Sequence, residues 1–177
     1  MRFKFCLAAL AATTAFASPA VAQSVGSDTA TAEARGLVLQ PLTLTKVDDL
    51  DFGTILASTV AGSVSIDEDT GNRSVTGGVT PVASNTGGRA LFEGAGTPTQ
   101  QVDLTLTPPV GGVLVSTSNP ADVIVVSNLL LDGGNLTTRT IGVLGTFQVG
   151  VGGTFAITAG QPNGLYTADF DLTADYL

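Results

Sequence analysis

Apolar and polar residues alternate along the C-terminal end of the chain more regularly than anywhere else. Within residues 164–177 (GLYTADFDLTADYL), every even position from Tyr166 to Tyr176 is apolar, and every odd position between them is polar. Because successive side chains of a strand point to opposite faces, this pattern predicts one strand with a buried and a wet face. A chain that ends on such a strand must pair its edge or leave it open to association.

The rest of the chain also reads as short apolar runs separated by turn residues. Val102, Leu104 and Leu106 alternate with polar residues, and DEDTGN at 67–72 predicts a turn between two strands. Pro41 predicts an edge strand or a bulge, and Gly53 in the LDFG sequence predicts a kink or a close approach. The glycines at 150, 152 and 153 are expected to separate strands at 140–151 and 154–158. About nine or ten strands follow, which is typical of an all-β sandwich.

The first 22 residues predict a signal peptide rather than a folded element. Arg2 and Lys4 precede an apolar run at 6–17, and Ala20-Val21-Ala22 forms a cleavage site before Gln23. The apolar run is too short for a transmembrane helix, which needs about 20 residues. We therefore expect export, with an N-terminal extension at 23–36, a β domain at 37–177 and no membrane span.

Composition removes several classes of function. After the predicted signal peptide, five basic residues stand against 15 acidic ones, which argues against nucleic acid or anionic lipid as a partner. The same part of the chain has no His and no Cys, so the usual nucleophile–base pairs are absent and no disulfide can form. We expect no enzyme, no cofactor and no metal site.

Acidic clusters at 48–51 and 67–69 leave two alternatives open. A carboxylate pair could do acid–base work on a sugar, and Asp67, Asp69 and Asn72 faintly resemble part of a calcium loop. A solvated acidic surface and a turn between two strands are the simpler interpretations.

Two resemblances to known families point to a function. Tyr176 is the penultimate residue and Gly164 is fourteenth from the end, which resembles the C-terminal pattern of pilin subunits of chaperone–usher fimbriae. The block at 50–76, beginning LDFGTIL, is similar to the DUF4402 family of exported bacterial β domains. The pilin resemblance implies an immunoglobulin-like sandwich that lacks its last strand. A groove beside the terminal strand would then be filled by the N-terminal segment of another subunit.

The same resemblance implies which residues would form each half of such a contact. The acceptor groove, or chaperone-binding strand, would include Gly164, Tyr166, Phe170, Leu172 and Tyr176. The donor strand would present Ala30, Ala32, Ala34 and Val38 on one face. The implied partners are other copies of the chain or related subunits, a periplasmic chaperone and an outer-membrane usher. The implied destination is a surface fimbria that serves cell adhesion, reached through the periplasm.

Other interpretations of the two segments remain open at this point. The terminal strand could belong to a complete sandwich, and the extension could be a disordered linker or fold back on its own groove. The protein would then be a secreted monomer that binds carbohydrate or a cell surface. A carboxylate-based hydrolase is a separate, third alternative. We favour a structural subunit of a fimbria assembled by donor-strand complementation.

Overall fold

The computed structural model describes Gly26 and residues 28–177, so the predicted signal peptide lies outside the described residues. The chain divides into two units, Met1–Gly36 and Leu37–Leu177. Within the first unit, the described residues belong to no strand or helix, and all of them are exposed.

The second unit is built almost entirely of strands. The helical elements among the described residues are two single turns, Val110–Gly112 and Asp132–Asn135. No helix in this part of the chain has the length and apolar character needed to cross a membrane. The strands are β1 Thr43–Asp48, β2 Ile55–Leu56, β3 Gly62–Ile66, β4 Arg73–Gly77, β5 Thr80–Pro81, β6 Ala90–Ala95, β7 Gln101–Thr107, β8 Val113–Ser116, β9 Val123–Leu131, β10 Thr138–Thr140, β11 Thr146–Ile157, β12 Tyr166–Thr167 and β13 Asp171–Tyr176.

These strands form antiparallel sheets that pack face to face. The main sheet has the order β1-β6-β11-β9-β8-β12, and the β3–β4 hairpin joins it through β11. A second sheet has the order β10-β7-β13, and β2 pairs with β5 separately. The predicted all-β sandwich is confirmed. The predicted edge position near Pro41 is confirmed as well, because β1 pairs only with β6 and carries a bulge between Lys46 and Asp48.

The buried side chains form two clusters along the main sheet. The first lies between the main sheet and the second sheet, where Phe92 and Val149 face Val102 and Leu104. The second lies on the other half of the main sheet and includes Phe155, Ile157 and Ile124 together with Phe52 from the loop before β2. The cover of this second cluster comes from loop residues and short strands rather than from the three-stranded sheet.

The predicted division of residues 140–158 into two strands is wrong, because β11 continues through its glycines. A Cβ on Gly152 would lie 2.5 Å from the Glu68 nitrogen and from the Ile66 oxygen, and one on Gly150 would lie 2.6 Å from the Glu68 oxygen. Because these glycines have no side chain, the β3–β4 hairpin can approach the backbone of β11 closely. These glycines serve close packing and do not end the strand.

In the C-terminal segment, the predicted alternation of buried and exposed side chains is present, but the predicted single strand is interrupted. The alternation in β13 is confirmed, with Leu172, Ala174 and Tyr176 half-buried and the residues between them exposed. The predicted single strand, however, is divided by residues 168–170 into β12 and β13. The reason is topological, since β12 pairs with β8 in the main sheet whereas β13 pairs with β7 in the second.

Replacement of Gly152 by Ala tests the close approach along β11. We expect Gly152→Ala to lower the free energy of unfolding by about 1–3 kcal/mol, because the new methyl group meets backbone atoms that cannot move independently. Gly88→Ala is the matched control, since a Cβ there meets nothing within 4 Å, and it should change stability by less than about 0.5 kcal/mol. Urea unfolding of both variants measures the difference. Equal losses would mean that packing is not what requires glycine in β11.

Candidate functional site

The C-terminal strand β13 lies at the edge of its sheet and pairs on one side only, with β7. The Leu177 nitrogen donates a hydrogen bond to the Gln101 oxygen, which fixes which residues of β13 bond to β7. Since bonding alternates along an antiparallel pair, the main-chain groups of Leu172, Ala174 and Tyr176 point to the other side. These are also the residues whose side chains face inward, so β13 presents free donors and acceptors beside the core.

A groove of about 1530 Å³ lies next to this edge. One wall is formed by residues between Lys46 and Ala57, and the opposite wall by residues between Gln161 and Leu172. The floor is apolar, because it consists of inward-facing side chains of the main sheet: Ala90, Phe92, Leu114, Ile124, Val126, Leu129, Phe155 and Ile157.

Four of the five predicted acceptor residues line this groove. They are Gly164, Tyr166, Phe170 and Leu172. The Phe170 ring packs edge-on against Phe92, with centroids 6.1 Å apart. The Tyr166 hydroxyl donates to the Pro162 oxygen at 2.7 Å and anchors the loop that forms this wall. Their role in assembly remains a prediction.

Tyr176, the fifth predicted acceptor residue, ties three segments together. Its hydroxyl accepts a hydrogen bond from the Thr97 nitrogen at 2.7 Å and donates one to the Gln40 oxygen at 2.9 Å. The Gln40 nitrogen in turn donates to the Thr97 hydroxyl at 2.6 Å. The point at which the chain enters the β domain is therefore held at the C-terminal end of β13.

Arg73 holds the wall opposite β13, and the sequence analysis did not single it out. Its guanidinium donates to four backbone oxygens, those of Phe52, Thr54, Val82 and Asn85, at 2.8–3.3 Å. Gly53 makes room for it, as predicted, with φ of +73° and no space for a Cβ beside the guanidinium. Asp67, Glu68 and Asp69 lie four to six residues before Arg73, so its sequence context suggests an ion pair and gives no signal for this clamp.

The predicted donor residues occupy no strand. Ala30, Ala32 and Ala34 are exposed, and the side chain of Val38 is 92% exposed. In the same segment, the Arg35 guanidinium forms an exposed ion pair with the Glu33 carboxylate at 2.7 Å. The structure leaves their predicted donor role untested.

The acidic turn at 67–72 is confirmed as a turn between β3 and β4. The Asp67 carboxylate accepts hydrogen bonds from the Thr70 hydroxyl and nitrogen, both at 2.7 Å, and from the Asp69 nitrogen. These bonds, chiefly those from Thr70, lower the pKa of Asp67. Among the described residues, no three carboxylate, imidazole or thiol groups come together where they could hold a metal ion.

Removing the Tyr176 hydroxyl tests the tie at the end of β13. We expect Tyr176→Phe to lower the free energy of unfolding by about 1–3 kcal/mol, because the Thr97 nitrogen and the Gln40 oxygen lose their partner. Tyr166→Phe is the matched control, since its hydroxyl bonds only to Gln161 and Pro162, within its own loop. Thermal or urea unfolding should rank Tyr176→Phe as the more damaging change. The opposite ranking would contradict the assignment of the tie.

Comparison with known proteins identifies the family of this domain. The model of a family described as "Domain of unknown function (DUF4402)" matches residues 42–176, which is about three quarters of the chain and includes every strand from β1 to β13. The searches of curated proteins and of solved structures found no match. The chain belongs to the DUF4402 family.

Proposed function

We propose that this protein is a structural subunit of a surface fimbria and that it assembles by donor-strand complementation. The observation that carries the proposal is the free edge of β13 beside a groove with an apolar floor. An extended peptide can bond to such an edge through its main chain while alternate side chains enter the groove. The resemblance of Gly164 and Tyr176 to the pilin pattern supports the same conclusion.

The N-terminal extension has the properties of such a peptide. The exposed residues 28–36 occupy no strand, and small residues occur at every even position from Ala30 to Gly36. Small side chains bury little apolar area, at about 25 cal/mol per Å². Main-chain hydrogen bonds to β13 would therefore supply a large share of the contact.

A contact between an extension and the groove of another copy joins two different surfaces. Such a heterologous contact repeats without closing, and it generates a filament. Before assembly, the groove would be held by a periplasmic chaperone strand, and an outer-membrane usher would pass the subunit to the cell surface. This proposal assigns the protein no enzymatic activity.

The first test removes the extension. We expect the purified chain to form ladders of multimers, whereas the chain without residues 24–36 should form none, because no donor is left. Adding a synthetic peptide of residues 24–38 should raise the unfolding temperature of the shortened chain by filling its groove. Size-exclusion chromatography and negative-stain microscopy measure assembly. Multimers that persist after the deletion, or a purified chain that stays monomeric at high concentration, would support a secreted monomeric binding protein or another mode of association.

The second test places a charge on each face of β13. Leu172→Asp puts a carboxylate into the groove wall, and we expect it to abolish multimers because burying an unpaired charge is costly. Thr173→Lys is the control that places a charge on the exposed face, and it should leave multimers intact. Since Leu172 also packs against the core, binding of the 24–38 peptide to each shortened variant is the second measurement. Equal tolerance of both changes, in a folded chain, would contradict the groove assignment.

A further inference from the structure

The outer face of β13 is acidic, whereas the extension carries one basic residue. Asp171 and Asp175 are exposed on that face, and Asp175 stands directly opposite Asp103 of β7. Like charges at directly opposed positions repel each other. A strand added at the free edge of β13 would gain if it brought a cation to this face, and Arg35 is the one basic residue among the described residues of the extension.

We propose that Arg35 of one copy pairs with Asp171 of the next copy and thereby sets the register of the donor strand, an inference that rests on the proposed function. In this register, residues 30–35 run antiparallel to β13. Every ladder described in the fold is antiparallel, so the donor strand continues the same pattern. The inward-facing pairs are Ala30 with Tyr176, Ala32 with Ala174, and Ala34 with Leu172.

Charge excludes the neighbouring antiparallel registers. With Arg35 beside Asp171, Glu33 stands beside the neutral Thr173. A shift of two residues in one direction places Glu33 beside Asp171, and a shift in the other direction places it beside Asp175. A shift of one residue turns the alanines outward and the charged residues into the core. Among the antiparallel registers within two residues of it, the proposed register is the one that satisfies both charge and face. A shift of four residues places Arg35 beside Asp175, but the donor would then be residues 34–39, directly before Gln40, which the Tyr176 hydroxyl holds in its own β domain.

The shape of the groove favours the same arrangement. The groove is lined by residues 161–172, so it reaches β13 only at Asp171 and Leu172, and neither Ala174 nor Tyr176 lines it. The proposed register places Ala34 beside Leu172 and directs the bulkier Val38 towards the groove, whereas Ala32 and Ala30 lie beside Ala174 and Tyr176, outside the groove. A parallel strand with Arg35 beside Asp175 would instead direct the charged side chain of Asp28 towards the groove.

The alternation of hydrogen bonds also brings Arg35 close to Asp171. The free main-chain groups belong to Leu172, Ala174 and Tyr176, so the donor alanines form the hydrogen-bonded pairs. Arg35 and Asp171 then occupy a non-hydrogen-bonded pair, in which side chains approach more closely. Arg35 has only to exchange its exposed partner Glu33 for the carboxylate of the next copy.

The donor in this register comes from another copy. Arg35 would stand beside Asp171, about 17 Å along β13 from Tyr176. In its own chain, Gln40 is held by the Tyr176 hydroxyl, and the five residues from Arg35 to Gln40 reach about 18 Å only when fully extended, with none left for a turn. The extension of the same chain cannot span that separation and also reverse its direction. The pairing is therefore intermolecular and propagates head to tail.

A charge exchange tests the pair. We expect Arg35→Glu or Asp171→Arg alone to weaken association of the full chain about fivefold, within the range for exposed ion pairs and opposed like charges. The double variant should restore association. Asp103→Arg combined with Arg35→Glu is the matched control, and it should not restore association because β7 is one strand further from the donor. Restoration by Asp175→Arg would place Arg35 beside Asp175, in a parallel strand or in an antiparallel one shifted by four residues, and would overturn the proposal. The absence of any effect of Arg35→Glu would also overturn it.

Disulfide formation between engineered cysteines shows directly which donor residue lies opposite which residue of β13. A chain with Thr31→Cys refolded together with a chain carrying Asp175→Cys should form an intermolecular disulfide, since these residues are opposed in the proposed register. The pair Thr31→Cys and Asp171→Cys is opposed only in the parallel arrangement and should remain unlinked. Linkage of the second pair, or of neither, overturns the register. Loss of multimers on deleting residues 24–36 would still uphold the proposed function in that case, whereas multimers that persist after the deletion would overturn both.

Discussion

The free edge of β13 is the constraint on which the functional interpretation depends. Backbone donors and acceptors need partners, and here three inward-facing residues offer theirs beside an apolar surface. The second core cluster adds to the same imbalance, because loop residues and short strands cover it in place of the three-stranded sheet. Unpaired main-chain donors and acceptors and uncovered apolar side chains therefore lie at the same place. An added strand would pair the first and cover the second.

The groove persists in the single chain because both walls are fixed independently of any occupant. Arg73 binds four backbone oxygens on one wall, so that wall cannot collapse onto the floor without losing charge-assisted hydrogen bonds. On the other wall, Tyr166 bonds to its own loop, and Tyr176 fixes the end of β13 to Gln40 and Thr97. A preformed acceptor lowers the conformational cost of association, since most of the ordering cost falls on the donor segment.

Much of the fold follows from local pattern, and the differences occur where distant segments meet. The alternation in β13 and the turn at 67–72 are set by nearby residues, so the sequence alone predicts them. The continuity of β11 depends on how closely the β3–β4 hairpin approaches Gly150 and Gly152, which periodicity cannot reveal. The division between β12 and β13 likewise reflects a change of sheet. Four of the predicted acceptor residues lie in the groove wall. Arg73 was not predicted, because it binds backbone carbonyl groups, and such binding has no sequence motif.

The composition of the extension determines what can make the contact selective. Alanine and glycine fill narrow space but offer little shape to distinguish one groove from another, and each buries a small area. Main-chain hydrogen bonds are the same in every register and therefore give affinity without choosing among registers. Selectivity must then come from the few residues that differ in charge or bulk, namely Asp28, Glu33, Arg35 and Val38. Charges on the exposed face therefore select the register here, whereas larger donor residues would select it by fitting into deep side-chain pockets.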